Sequence, residues 1–181
     1  MAPRRSVERT LILSFAAVVL TFVGASLYGE YRASEIERDA LSIQSNAAPS
    51  IHRLANARAE LRRLQLLVHR ALDEGVTSRR TLEIAAGRAL LDDEIAEYQR
   101  LPMYSRETDV WQSVQTALTE MNGDVAIILD ALRRRDLLAA RNGEESLDRS
   151  SERVASRLSA AIDVNVSAAS SLAAQIQSTR R

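Results

Sequence analysis

The amino-acid sequence predicts an all-α fold, in which an N-terminal transmembrane helix continues into an antiparallel, up-down-up-down four-helix bundle with long first and fourth helices. Three observations support this prediction. An apolar stretch near the N-terminus is long enough to cross a bilayer, apolar residues elsewhere recur at helical spacing, and aromatic residues make up only 4% of the chain. No segment shows the apolar-polar alternation of a β-strand.

Composition narrows the classes of function. The chain has 181 residues, enough for one domain of ordinary size and an anchor. The 24 basic and 24 acidic residues balance, so charge does not indicate a nucleic-acid partner. Cysteine is absent, which excludes disulfides and thiolate chemistry. Because no phosphate-binding loop, nucleophile elbow or metal motif occurs, the sequence predicts neither an enzyme nor a bound cofactor.

The apolar stretch Leu11–Tyr28 contains 18 residues without a charge. At a rise of ~1.5 Å per residue it covers ~27 Å, close to the ~30 Å hydrocarbon core of a bilayer. Three arginines precede it, and positive residues remain on the cytoplasmic side. We therefore predict a cytoplasmic N-terminus over 1–10, a transmembrane helix over 11–28, and a periplasmic domain over 29–181, held in the bacterial inner membrane.

This stretch has two other interpretations. A cleaved signal peptide also has a basic start and an apolar middle, and the small residues ending at Ala25 offer a cleavage site. A buried helix of a soluble protein is the third interpretation. An uncleaved anchor is favoured, because the apolar run is long for a signal peptide and the following residues continue in helical register.

The first two helices follow from their stop and start signals. The first helix is predicted to run from the membrane to about Glu74, with a bend at Pro49, whose ring displaces a carbonyl and lacks a donor. Thr77 or Ser78 caps the second helix, which reaches about Arg100. The predicted buried residues are Ile51, Leu54, Leu61, Leu64, Val68 and Leu72 on the first helix, and Leu82, Ala85, Ala89, Ile95 and Tyr98 on the second.

The third and fourth helices have the clearest periodicity. Ser105 is predicted to cap the third helix, with Asp109 in its first turn, and Gly123 weakens it locally. Spacings that alternate between three and four residues indicate the seam of a left-handed bundle. The seams are Trp111, Val114, Leu118, Met121, Val125, Ile128 and Leu132, and then Leu147, Ser151, Val154, Leu158, Ala161, Asn165, Ala168, Leu172 and Ile176.

The helix lengths predict that part of each long helix has no partner within the chain. Outside the membrane the first and fourth helices have about 45 residues each, and the second and third about 23 and 30. The turn between the second and third helices then lies ~30 Å above the bilayer. Below it the two long helices lack further partners, so we expect a homodimer to cover their apolar stripes.

Three segments together carry a family resemblance: the anchor LILSFAAVVLTFVGASLY, the segment SNAAPSIHRLANARAELRRLQLLVHRAL, and AAIDVNVSAASSLAAQIQSTRR near the C-terminus. In architecture they resemble the N-terminal part of bacterial transmembrane receptors, namely sensor histidine kinases and methyl-accepting chemotaxis proteins. The resemblance implies a membrane-anchored sensor region of a two-component receptor, which relays a ligand- or partner-dependent helix shift across the membrane.

The sequence also departs from those receptors. It contains no second membrane helix, coupling module, phospho-accepting histidine box or ATP-binding motif, and neither His52 nor His69 stands in such a box. The chain is therefore expected to have no kinase activity of its own. Two alternatives stay open: the sensor of a chemotaxis receptor, and a complete single-span protein with a structural or assembly role in the envelope.

Arginines near the seam predict a ligand site. Arg58 lies at a seam position one turn from Arg62, and helical rise places Arg58 opposite Ser151 when layers pair residues whose numbers sum to about 209. Guanidinium groups suit a carboxylate or phosphate, so Arg58, Arg62 and Ser151 are candidate residues for binding a small anion. The favoured interpretation is that Arg58 extends to solvent or pairs with a carboxylate, and the receptor then reads another ligand or a periplasmic partner protein.

The same layer rule places Asn46 and Asn165 together in the lower, two-helix section. There they are predicted to fix register and oligomeric state, with Pro49 beside them as a hinge. His69 and Asp73 have the spacing of two metal ligands on one helix. Because two ligands do not make a site, both are interpreted as helix-surface residues and no metal is predicted.

Overall fold

The computed structural model describes residues 4–75 and 77–179. Within them, the regular elements are all helical, which confirms the predicted fold class. They are α1 (Arg4–Ser42), a π-helical turn (Ile43–Ala47), α2 (Ala48–Glu74), α3 (Ser78–Gln99), α4 (Glu107–Arg133) and α5 (Leu137–Thr179). The described chain divides into two compact units, one of residues 42–171 and one of residues 4–41 with 172–179.

The larger unit is a four-helix bundle in which α2 and α4 each lie between α3 and α5. Side-chain contacts that join the neighbours are Arg53–Glu94, Tyr98–Trp111, Glu120–Arg153 and Glu144–His69. On α4 and α5, Glu120 contacts Arg153 and Asp124 contacts Ser146, so advancing along one helix means going back along the other. These two helices are therefore antiparallel, as predicted.

The core of this unit contains most of the predicted apolar residues. Leu54, Leu61, Leu64, Val68 and Leu72 of α2 are buried, as are all the predicted residues of α4 except Leu118, which is half-buried. On α5 the seam is buried from Leu147 through Asn165. The periodicity of these three helices therefore identified their inward faces.

The predicted inward face of α3 is only partly correct. Tyr98 is buried and Ile95 packs against the core, but Leu82, Ala85 and Ala89 are exposed. Leu82 is 70% exposed, and the residues that are buried on this helix are Ile84, Gly87, Leu91 and Tyr98. Apolar residues occur all around α3, so periodicity could not select its buried stripe. The side of α3 that carries Gly87 faces α2. The two helices are so close there that a Cβ at this position would lie 3.0 Å from Leu67 Cδ1.

The N-terminus of α3 agrees with the prediction, and the N-terminus of α4 differs from it. Thr77 caps α3, since its side chain accepts a hydrogen bond from the Arg80 N–H at 3.2 Å. Ser105 does not cap α4. Instead, the side chain of Glu107 reaches back and accepts a hydrogen bond from the Tyr104 N–H at 2.9 Å. Asp109 lies in the first turn of α4, as predicted.

Pro49 is the second residue after the π-helical turn, which ends at Ala47. The Ala48 N–H donates to the Ile43 carbonyl, five residues back, where an α-helix would bond four residues back. Pro49 has no N–H to donate and its ring crowds the preceding turn, so the wider turn accommodates it. Helical structure continues on both sides, from Arg4 to Ser42 and from Ala48 to Glu74.

The smaller unit contains the apolar stretch of α1. It is the one helix among the described residues that is long and apolar enough to cross a membrane, with a mean hydropathy of 2.2 and none of that window buried. Where α1 and α5 meet in this unit, Gln175 Nε2 donates to Glu35 Oε1 at 3.5 Å. Ile36, Leu172 and Ile176 are only half-buried there, so the apolar stripe is partly open.

Candidate functional site

The predicted ligand residues come together in a groove between α2 and α5, which we call the arginine groove. Its volume is about 340 Å³, and it is lined by Arg58, Arg62 and Gln65 of α2 and by a serine-rich face of α5 that includes Ser151 and Glu152. Arg58 and Ser151 therefore line one groove, contributed by two neighbouring helices of the bundle.

Two polar atoms of residues that line the arginine groove lack protein partners. Arg58 Nε and Ser151 Oγ are buried without a hydrogen bond, and Ser151 is only 1% exposed. Glu60, the acidic residue closest to Arg58 along α2, pairs with Arg63 at 3.6 Å. Among the described ion pairs neither Arg58 nor Arg62 has a carboxylate partner.

This arrangement suits an oxyanion. Two guanidinium groups supply charge and paired N–H donors, and a buried hydroxyl supplies a further donor. A buried polar atom without a partner is costly, so a ligand that accepts hydrogen bonds from Arg58 and Ser151 would recover that cost. Glu152 is the acidic lining residue of the groove; its side chain is exposed and stays solvated.

The two asparagines of the predicted register layer have different partners. Asn46 lies in the π-helical turn, where its Oδ1 accepts a hydrogen bond from Ser50 at 3.4 Å. Asn165 donates to Glu107, at the start of α4, and to the Ala161 carbonyl at 3.0 Å. Asn165 is therefore level with the turn between α3 and α4, whereas the layer rule placed it below that turn. The layer rule pairs only the first and fourth helices, so it does not predict a contact between α5 and Glu107 of α4.

Glu107 is the centre of a polar cluster that sequence reasoning missed. It is fully buried, and its Oε1 accepts hydrogen bonds from the Tyr98 hydroxyl and from Asn165. Burial, together with the hydrogen bond to Glu107 and its charge, raises the pKa of Tyr98. A signal was present in the sequence: Glu107 stands four residues before Trp111 and continues the buried stripe of α4.

The structure pairs His69 with side chains of α5. His69 Nδ1 is 2.7 Å from Glu144 Oε1, and Nε2 is 3.2 Å from Asp148 Oδ1, so its partners are on α5. No group of three residues able to hold a metal ion occurs among the described residues. The contacts of His69 across to α5 were not predicted.

Comparison with known proteins identifies the family. A family model described as a four helix bundle sensory module for signal transduction matches residues 4–179. No curated protein and no solved structure matches the chain. Since the family match spans nearly the whole sequence, and the larger unit is the bundle that the family's description names, the chain belongs to this family of four-helix-bundle sensory modules.

Proposed function

We propose that this chain is the membrane-anchored, extracytoplasmic sensor region of a two-component signal-transduction receptor. One observation carries the proposal: a sensory bundle and an exposed helix with an uncharged stretch of 18 residues occur in the same chain. Phe15 and Leu20 of that helix are 72% and 71% exposed. A bilayer would cover such a surface, and the preceding arginines favour a cytoplasmic N-terminus with the bundle in the periplasm.

Fusions test the topology. Alkaline phosphatase, which is active only outside the cytoplasm, is joined after residue 181, so that the fusion contains all four bundle helices, and it is expected to be active and membrane-bound. Leu20→Arg should move the fusion out of the membrane fraction, because a central arginine costs about 3 kcal/mol on insertion scales. Leu82→Arg is the matched control, since Leu82 is 70% exposed on α3, and it should leave the fusion in the membrane. An inactive fusion, or a processed chain beginning near residue 26, would contradict the anchor.

The ligand proposed for the arginine groove is a small anion. Its support is the pair of arginines without described ion-pair partners beside the unpartnered Ser151 hydroxyl. Sulfate and succinate, as probes, should raise the melting temperature of the chain in detergent micelles. Arg58→Ala with Arg62→Ala should remove that shift, whereas Arg63→Ala should keep it, because Arg63 pairs with Glu60 outside this groove. A shift retained without Arg58 and Arg62 would refute the site.

Signal relay would use α2 and α5. An anion between them draws the two helices together, and a ligand shifts a conformational equilibrium only through such a difference in affinity. A small slide or rotation of α5 would then carry the signal toward the membrane. The reading frame beyond codon 181 tests the output: a second apolar span followed by a kinase supports the proposal, and a stop codon favours an envelope structural protein.

A homodimer would complete the smaller unit, where Ile36, Leu172 and Ile176 are half-buried. Apolar stripes of this kind are commonly covered by a second copy. The chain has no cysteine, so a single introduced thiol reports without background. Leu172→Cys should cross-link two copies in membranes, and Ser170→Cys, on the exposed side of α5, should not. Equal cross-linking at both positions would contradict the proposed interface.

A further inference from the structure

His69 of α2 lies between two acidic side chains of α5. Its Nδ1 is 2.7 Å from Glu144 Oε1 and its Nε2 is 3.2 Å from Asp148 Oδ1. A neutral imidazole carries one N–H and can donate to only one carboxylate, whereas the doubly protonated ring can donate to both. We infer that His69, Glu144 and Asp148 form a proton-binding clasp, which joins α2 to α5 when the imidazole carries both protons.

A metal ion would not explain the same geometry. The two carboxylates contact opposite nitrogens of the ring, so one ion bound to either nitrogen could not be shared by both. A proton on each nitrogen satisfies both contacts. The arrangement therefore selects a proton as the ligand.

The charged groups around His69 favour its cationic form. Glu144 and Asp148 face it from α5, and Asp73 stands one turn further along α2. Among the described hydrogen bonds and ion pairs, those of His69 go to α5 and none goes to α3 or α4. Partial burial of the ring lowers the pKa of His69, but the hydrogen bond to Glu144 and the charges of Asp148 and Glu144 outweigh it and raise the pKa above 6.5.

The clasp lies next to the arginine groove on both helices. Gln65, which lines the groove, is four residues before His69, and Ser151 is three residues after Asp148. Loss of the proton would release α2 from α5 one turn away from the bound anion. The bundle would then be closed in acid and looser in alkali. This coupling, unlike the clasp itself, rests on the proposed anion-binding function.

The first test is an NMR titration of the imidazoles in the full chain in detergent micelles. The chain has two histidines, and His52→Gln assigns their signals. We expect the pKa of His69 to exceed 6.5, with both ring nitrogens protonated at pH 6, and to fall in Glu144→Gln and in Asp148→Asn. A pKa at or below 6.5, or one that neither variant changes, would overturn the clasp.

Thermal unfolding of the same chain supplies a second readout. Since the pKa of His69 is raised in the folded state, its stabilisation is complete below pH 6.5 and is lost as pH rises through the folded value. The melting temperature of the wild type should exceed that of His69→Gln by about 2–4 °C at pH 6, and this difference should vanish in alkali. His52→Gln should behave as the wild type, because His52 bonds within its own helix, to Asn56. A constant difference would refute proton control.

Sulfate, which keeps its charge across this pH range, separates the clasp from the anion site. If both exist, sulfate should bind more tightly at pH 6 than at pH 8.5, and His69→Gln should abolish that difference. Absence of sulfate binding with a normal His69 titration would overturn the anion site and leave the clasp standing. Sulfate binding with the same pH dependence in the wild type and His69→Gln would overturn the coupling.

Discussion

The side-chain amide of Asn165 donates a hydrogen bond to the carboxyl group of Glu107, and both residues are 0% exposed. The contact joins α5 to the first residue of α4. A buried carboxyl group is costly unless its oxygens are hydrogen-bonded, and the Tyr98 hydroxyl and the Tyr104 N–H supply the remaining donors. The cluster therefore favours one register of α5 against the turn between α3 and α4.

A double-mutant cycle should detect the energetic coupling of Glu107 and Asn165. Each change to Ala alone should lower the free energy of unfolding by about 2–4 kcal/mol, because it leaves buried polar atoms without partners. The double variant should lose less than the sum, by about 1–3 kcal/mol. Urea unfolding at pH 7 measures all four species. Asp109→Ala, an exposed first-turn change, should cost no more than about 0.5 kcal/mol. Strict additivity would contradict the contact.

Tyr98 should make the fold sensitive to strong alkali. Its pKa is raised above 10.0 in the folded state, mainly by burial and then by Glu107, so the unfolded chain loses the phenolic proton first. Stabilisation by Tyr98 is therefore complete below pH 10, and above it the free energy of unfolding should fall by about 1.4 kcal/mol per pH unit from this residue. Tyr98→Phe should lower stability at pH 7 yet show a shallower decline between pH 10 and 12. Parallel declines would contradict the prediction.

Two helical glycines should respond to alanine in opposite directions. Gly123 is exposed on α4, and a Cβ there would meet nothing within 4 Å. Gly123→Ala should raise the free energy of unfolding by about 1 kcal/mol, because alanine loses less backbone entropy in a helix. Thermal unfolding followed by circular dichroism measures the change.

Gly143 is the matched control for Gly123. A Cβ at Gly143 would lie 2.7 Å from Ile128 Cγ1, so α5 would have to move away from α4. Gly143→Ala should therefore destabilise the chain by about 1–3 kcal/mol, as overpacked cores do. Stabilisation by both substitutions would show that α4 and α5 do not approach closely here.

Pro49→Ala should convert the π-helical turn into α-helix. The new amide at residue 49 can donate to the carbonyl four residues back, so it should be protected in hydrogen exchange and the helix stabilised by about 1–3 kcal/mol. Pro102→Ala, in the turn between α3 and α4, gains no helical hydrogen bond and is the control. In an intact receptor, Pro49→Ala should alter signalling; an unchanged response would remove the predicted hinge.

Periodicity predicted the fold wherever one face of a helix differs strongly from the others. The buried stripes of α2, α4 and α5 follow this pattern. For α3, periodicity identified only Ile95 and Tyr98 correctly, because apolar residues occur all around this helix. Its orientation depends on the contact of Gly87 with Leu67, which spacing within one helix does not contain.

By itself, the sequence determined the helical class, a cap at Thr77 or Ser78, the apolar stretch of α1, and the inward faces of α2, α4 and α5. These follow from local hydrogen bonding and from a period that every residue of a helix obeys. Only the tertiary structure decided that Glu107 is buried against Asn165 and that His69 contacts two carboxylates of α5. A polar side chain on a helix surface is solvated or buried according to what the neighbouring helix places beside it, and that neighbour is chosen by packing of the whole bundle.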